Sequence, residues 1–196
     1  MSMTPPVEAP APPRKRGNPL PVILVVLIGT GLLCVILIAV FAAILFPVIA
    51  GARRAARRTD AMIRIRSLAR ATRMYASDND DRLPIATAWM DGVAKYDPSN
   101  RDFYSPGLER RNPLDPPGYG IAFMRSLSAN KLASIESPAQ RVMIFDSKLM
   151  GRNATSGLET VPKPPRFGNA DTGGNVIGFV DGHARLVTAT DEVNLK

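Results

Sequence analysis

Among side chains able to do chemistry, the densest group is Asp78-Asn79-Asp80-Asp81, where three carboxylates could offer oxygens to a calcium ion. Calcium takes about six to eight oxygens and tolerates irregular loops. The spacing here is incomplete, because Arg82 stands where a further ligand would fall and no glutamate follows. Asn and Asp also favour turns, and Pro84 holds Leu83 extended, so the run reads as the end of a helix and a turn. Gly173-Gly174 has the look of a phosphate cradle, but no Gly-Lys-Ser/Thr or helix start follows, and a turn entering a hairpin is the better reading. Asn153-Ala154-Thr155 fits a glycosylation acceptor, a triplet that arises often by chance. His183 is the only histidine, which excludes any site needing two imidazoles. Cys34 is the only cysteine and lies in an apolar run, so neither an intramolecular disulfide nor a thiolate metal site is available. No nucleophile–base–orienter set and no paired carboxylates stand at interpretable spacing. The expectation is a protein that is not an enzyme and has no cofactor.

The elements that position these residues begin with a segregation of apolar character. From Gly17 to Ala52 there is no charged residue, and Val22 to Phe46 is almost wholly Val, Ile, Leu, Ala and Phe. As a helix with ~1.5 Å rise per residue that stretch is roughly 37 Å long, enough to cross a hydrocarbon core of about 30 Å with some tilt. A buried core helix rarely needs to be apolar on every face for so long. Arg14, Lys15 and Arg16 resemble the start of a secretory signal, but the apolar part of a signal is only about 7–15 residues. A transmembrane helix over 22–49 is therefore expected, preceded by a basic tail, residues 1–21, whose seven prolines prevent regular helix.

The formal charge of +8 invites a nucleic-acid reading, but its location decides against one. Eight arginines face only Asp60 between residues 53 and 73, a net +7, whereas Leu83 to Lys196 holds 13 basic and 12 acidic side chains. The arginines start where the apolar run stops. Arg53, Arg54, Arg57 and Arg58 are accordingly expected at anionic headgroups, where each charge contributes about 1 kcal/mol. The lipid bilayer is the expected partner.

Beyond the run the period stays helical. Met62, Ile65, Leu68, Ala69, Thr72, Tyr75 and Ala76 form one stripe, with Arg66, Arg70 and Arg73 on another face. One helix from about Val22 to Ala76 is expected, amphipathic over 50–77 and kinked at Pro47, which lacks a backbone donor and crowds the preceding turn. A small α+β domain over 78–196 follows. Asp91 to Pro117 reads as irregular surface with one short helix, Ile121 to Leu132 as helix, Arg141 to Asp146 as a buried strand and Gly151 to Gly174 as a long loop. A hairpin over 175–188 closes the chain, with Asp181-Gly182 supplying the positive φ angles of a two-residue turn. The fold class is α+β: a long helix, its first half transmembrane, packed on a small antiparallel sheet.

A basic leader, an apolar helix ending Ala42-Ala43-Ile44-Leu45-Phe46-Pro47, an arginine-rich helix, Tyr75-Ala76-Ser77-Asp78-Asn79-Asp80-Asp81-Arg82-Leu83-Pro84, and an ending from Gly173-Gly174-Asn175 to Asp181-Gly182-His183 stand in that order. The chain thereby resembles the bacterial prepilin-like proteins, relatives of the major pseudopilin of type II secretion, over roughly residues 42–84 and 141–188. The resemblance implies a pilin-like fold, a bacterial inner-membrane anchor with the C-terminal domain extracytoplasmic, and partners among pilin-like subunits or secretion-system components. Counting positive charges around the helix places the larger domain in the cytoplasm instead. Some pseudopilins bind calcium near the C-terminal end, and by that analogy Asp171 and Asp181 are the metal candidates. There are departures. The usual cleavage motif, a glycine before a Phe-Thr-Leu-Ile-Glu-like start, is absent; Thr30 falls where the family's glutamate would stand, and Asp171 where relatives commonly carry a histidine. Losing that glutamate argues against ordinary filament assembly, because it is thought to pair with a neighbouring subunit's amine in lipid. Two other readings remain: a membrane-tethered binding module with no filament role, and a basic protein of DNA-uptake type.

Overall fold

The computed structural model describes residues 20–97, 102–108, 118–168, 173–188 and 191. The chain divides into two compact units, residues 1–49 and 50–196. The first helix, α1 (Leu20–Asp78), runs without interruption through Pro47. It supplies the described part of the first unit, where seventeen large apolar side chains between Leu24 and Ile49 are 46–77% exposed.

In the second unit α1 is amphipathic. Ala61, Ile65, Leu68, Ala69, Thr72 and Ala76 are buried, Met62 and Tyr75 half-buried, and Arg66, Arg70 and Arg73 exposed. Thr72 resolves its polarity by donating its hydroxyl to the Leu68 carbonyl at 2.8 Å. Past Asp78, Asn79 donates its side-chain amide to the Tyr75 carbonyl, and Asp80 and Asp81 take left-handed φ angles of 53° and 60°. Short polar side chains enter that region more readily than bulky ones, so they stop the helix.

A short helix, α2 (Trp89–Val93), lies within the stretch 91–117 and just before it. Five strands follow: β1 (Ile121–Met124), β2 (Val142–Asp146), β3 (Thr155–Ser156), β4 (Gly174–Phe179) and β5 (Ala184–Thr188). Their order in the sheet is β3-β1-β2-β4-β5. All pairings are antiparallel except β1 with β3, which is parallel, so the sheet is mixed rather than purely antiparallel. Central β2 is buried at every residue, as a strand covered on both faces must be.

The helix expected over Ile121 to Leu132 is instead β1 followed by the 3-10 turn Arg125–Leu127. Ile121-Ala122-Phe123-Met124 is a continuous apolar run, which periodicity cannot separate from buried helix, and its place between β2 and β3 decides the matter. The long loop expected over 151–174 contains β3, too short to carry any alternation.

Helix and sheet meet at Gly178. A Cβ there would lie 2.8 Å from Ile65 Cγ2 and 3.5 Å from Ala69 Cβ, so the missing side chain lets α1 lie close on β4. Ile144 pairs with both Gly178 and Phe123, which places Phe123 on the same face. The only tryptophan, Trp89, stacks there at 5.9 Å from Phe123 and donates its indole N–H to the Ala154 carbonyl at 3.0 Å. One continuous core results.

Candidate functional site

The residues singled out from sequence fall into three places. Arg53, Arg54, Arg57 and Arg58 lie on α1 in the second unit, all exposed, beginning four residues after Ile49. Arg54 donates to the Ala50 carbonyl at 3.3 Å, an ordinary position for a side chain folded back along its own helix. Arg64, further along, forks onto Asp60 at 3.1 and 2.7 Å and donates to the Tyr104 carbonyl, which removes it from the free surface.

The second place is the closing hairpin. Asp181 and Gly182 are both in its turn, but the expected two-residue geometry is corrected. The Phe179 N–H donates to the His183 carbonyl, the Gly182 N–H to the Phe179 carbonyl, and Gly182 has φ 92° while Asp181 has no positive φ. Val180-Asp181-Gly182 is therefore a three-residue loop, a type I turn followed by a left-handed glycine. Asp-Gly suits both turns, and sequence alone does not separate them. Asp181 Oδ1 accepts the His183 N–H at 3.0 Å and lies 2.5 Å from His183 Nδ1. The imidazole stacks on Phe179 at 4.3 Å and 3°. Desolvation pushes the Asp181 carboxyl upward, but the N–H and ring of His183, with Arg73 nearby, hold it below the usual carboxylate range. Arg73 donates to the Asp181 carbonyl at 2.6 Å, tying α1 to the turn.

Asp171 and Asp181 are the calcium candidates only by analogy with pseudopilins. Asp171 lies outside the described residues, and the Asp181 carboxylate is turned to His183. Among the described residues no three of His, Cys, Asp and Glu converge as a metal would need. Asp78 Oδ2 accepts the Tyr96 hydroxyl at 2.7 Å and Asp81 Oδ2 accepts the Ala133 N–H at 3.2 Å, so two of the three helix-end carboxylates serve the turn. Asn153 accepts from the Met90 N–H and donates to Asp91 Oδ2, so its amide is engaged in the fold. Gly174 pairs in β4, where a Cβ would come within 2.6 Å of the Val187 carbonyl.

The third place is one sequence reasoning missed. Asp146, at the end of β2, is 1% exposed, and the Arg166 side chain beside it 7%. Asp146 Oδ1 accepts from Ser105 at 2.8 Å and from Arg166 Nη1 at 3.3 Å, and Oδ2 accepts the Val176 N–H at 2.8 Å. Arg166 also donates to the Gly120 carbonyl at 2.8 Å and the Ser147 carbonyl at 2.5 Å. Burial raises the Asp146 carboxyl, opposed by Arg166, the Val176 N–H and the Ser105 hydroxyl. The group clamps loops from four parts of the chain against the sheet. The one available signal was an aspartate closing an otherwise apolar strand, Val142-Met143-Ile144-Phe145-Asp146.

Family models, characterised proteins and solved structures were each compared with this chain, and none matches it. What the geometry defines is an α+β domain whose N-terminal helix is long and apolar enough to cross a membrane.

Proposed function

We propose that the chain is a pilin-like structural protein, held in the inner membrane of a bacterium by the apolar half of α1, with its sheet domain on the extracytoplasmic side. It acts through contacts with other pilin-like subunits or with components of a type II secretion or type IV pilus-type system, rather than by catalysis. The observation that carries this reading is the division of labour along α1. Its first part offers apolar side chains in every direction, and its second part buries one stripe against a sheet that closes on the Gly-Gly-Asn to Asp-Gly-His hairpin. The missing cleavage motif, with Thr30 at the glutamate position, favours a permanent anchor with its N-terminal tail retained over a processed filament subunit.

A photo-crosslinking residue at Ile38, exposed in the apolar part of α1, tests the partner in intact membranes. Capture of pilin-like or secretion-system proteins is expected; capture of lipid alone would count against the role and favour a tethered binding module. Protease treatment of spheroplasts tests the side of the membrane. Digestion of the sheet domain is expected, while a protected domain would place it in the cytoplasm, where the arginine count alone would put it.

A further inference from the structure

Beside the buried stripe of α1 runs a second, exposed face that neither membrane nor sheet accounts for. Exposed Ile63, Arg66, Arg70 and Met74 follow one another at helical spacing and, with half-buried Ser67, buried Ala71 and Tyr96 as a side wall, line an open groove of about 360 Å³. Ile63 and Met74, 58% and 54% exposed, precede and follow Arg66 and Arg70 along the helix. Among the described residues neither Arg66 nor Arg70 has an ion-pair partner. Nearby acidic groups are otherwise engaged: Asp102 is hydrogen-bonded by Ser67, and Asp78 by Tyr96.

We propose that this face of α1 is the docking groove for a helical segment of a partner protein that carries acidic side chains flanked by apolar ones. The order apolar, basic, basic, apolar along the groove calls for the order apolar, acidic, acidic, apolar in its occupant. A second copy would set guanidinium against guanidinium. Nucleic acid wants a cationic track that continues, and here two neighbouring cations are turned away, Arg64 to Asp60 and Arg73 to the Asp181 carbonyl, Lys95 is paired with Asp78 at 4.0 Å, and apolar Ile63 and Met74 flank the arginine pair along the helix. Exposed methionine beside such a pair suits an adaptable protein contact. The inference stands on the second unit alone and does not need the filament or secretion reading.

The test uses the full chain in neutral-detergent micelles and a fluorescent synthetic helical peptide of about 16 residues, with Leu, Glu, Glu and Leu at successive four-residue steps to match the groove. Binding is expected, weakened about tenfold or more when both Glu become Gln, and weakened likewise by R66Q with R70Q. R53Q with R54Q should leave it unchanged, and R66E with R70E should transfer preference to a Lys version of the peptide. Equal binding of the Glu and Gln peptides, or equal binding by R66Q/R70Q, would overturn the proposal. So would a failure of the Glu peptide to bind while a single-stranded oligonucleotide binds through Arg66 and Arg70.

Discussion

The carboxylate of Asp146 is out of water and depends on what surrounds it. Breaking a buried ion pair by removing one partner costs about 3–5 kcal/mol, because the other charge is left buried, whereas replacing both with apolar groups of similar volume is often near neutral. D146A and R166A are each expected to destabilise the domain by about that amount, and D146L/R166M by clearly less than their sum. Denaturation of the full chain in detergent, followed by the fluorescence of buried Trp89, measures the cycle. Asp181 makes a pH prediction of definite sign. Its folded-state pKa is depressed, so its contribution is present above the unfolded value, about 3.9, and is lost as pH falls through the lower folded value. D181N should therefore be less stable than the parent at neutral pH, and the two curves should converge as pH falls through the folded value. A difference that stayed undiminished to the acid limit, where the carboxylate is protonated, would contradict the His183 clamp.

At the scale of elements, the contact between α1 and β4 depends on an absent side chain. A Cβ at Gly178 would stand 2.8 Å from Ile65 Cγ2, closer than packing allows. G178A is expected to cost about 1–3 kcal/mol, the range for overfilling a packed core. I65V, which costs about 0.5–1.5 kcal/mol in an ordinary core, should cost less or nothing in the G178A background. Strict additivity in the same Trp89 measurement would mean that α1 does not press on this point. Such a contact shows why some of the fold was legible in the sequence and some was not. The stripe Ile65, Leu68, Ala69, Thr72 and Ala76 is periodic, and β2 and the closing hairpin carry β-branched residues bounded by turn signals, so local pattern specified them. β1 reads equally as helix or strand, and β3 is two residues long; long-range pairing makes both of them strands, and no local pattern contains it. For the same reason Asp146 reads from sequence only as a strand residue. Its partners Ser105, Arg166 and Val176 are 41, 20 and 30 residues away.

At the scale of the whole chain, the decisive quantity is the apolar area that the fold leaves uncovered. Seventeen large apolar side chains between Leu24 and Ile49 are about half or more exposed, and each gains about 1.5–3 kcal/mol when fully removed from water. Even a fraction of that sum exceeds the ~5–15 kcal/mol by which a typical domain is stable. A chain folded in this way therefore needs an apolar environment around the first part of α1, and a bilayer core of about 30 Å fits its length. The measurement that tests this most directly is alkaline carbonate extraction of membranes carrying the full-length protein. It should stay in the membrane pellet and be released only by detergent; recovery in the detergent-free supernatant as a folded, monomeric protein would contradict the account.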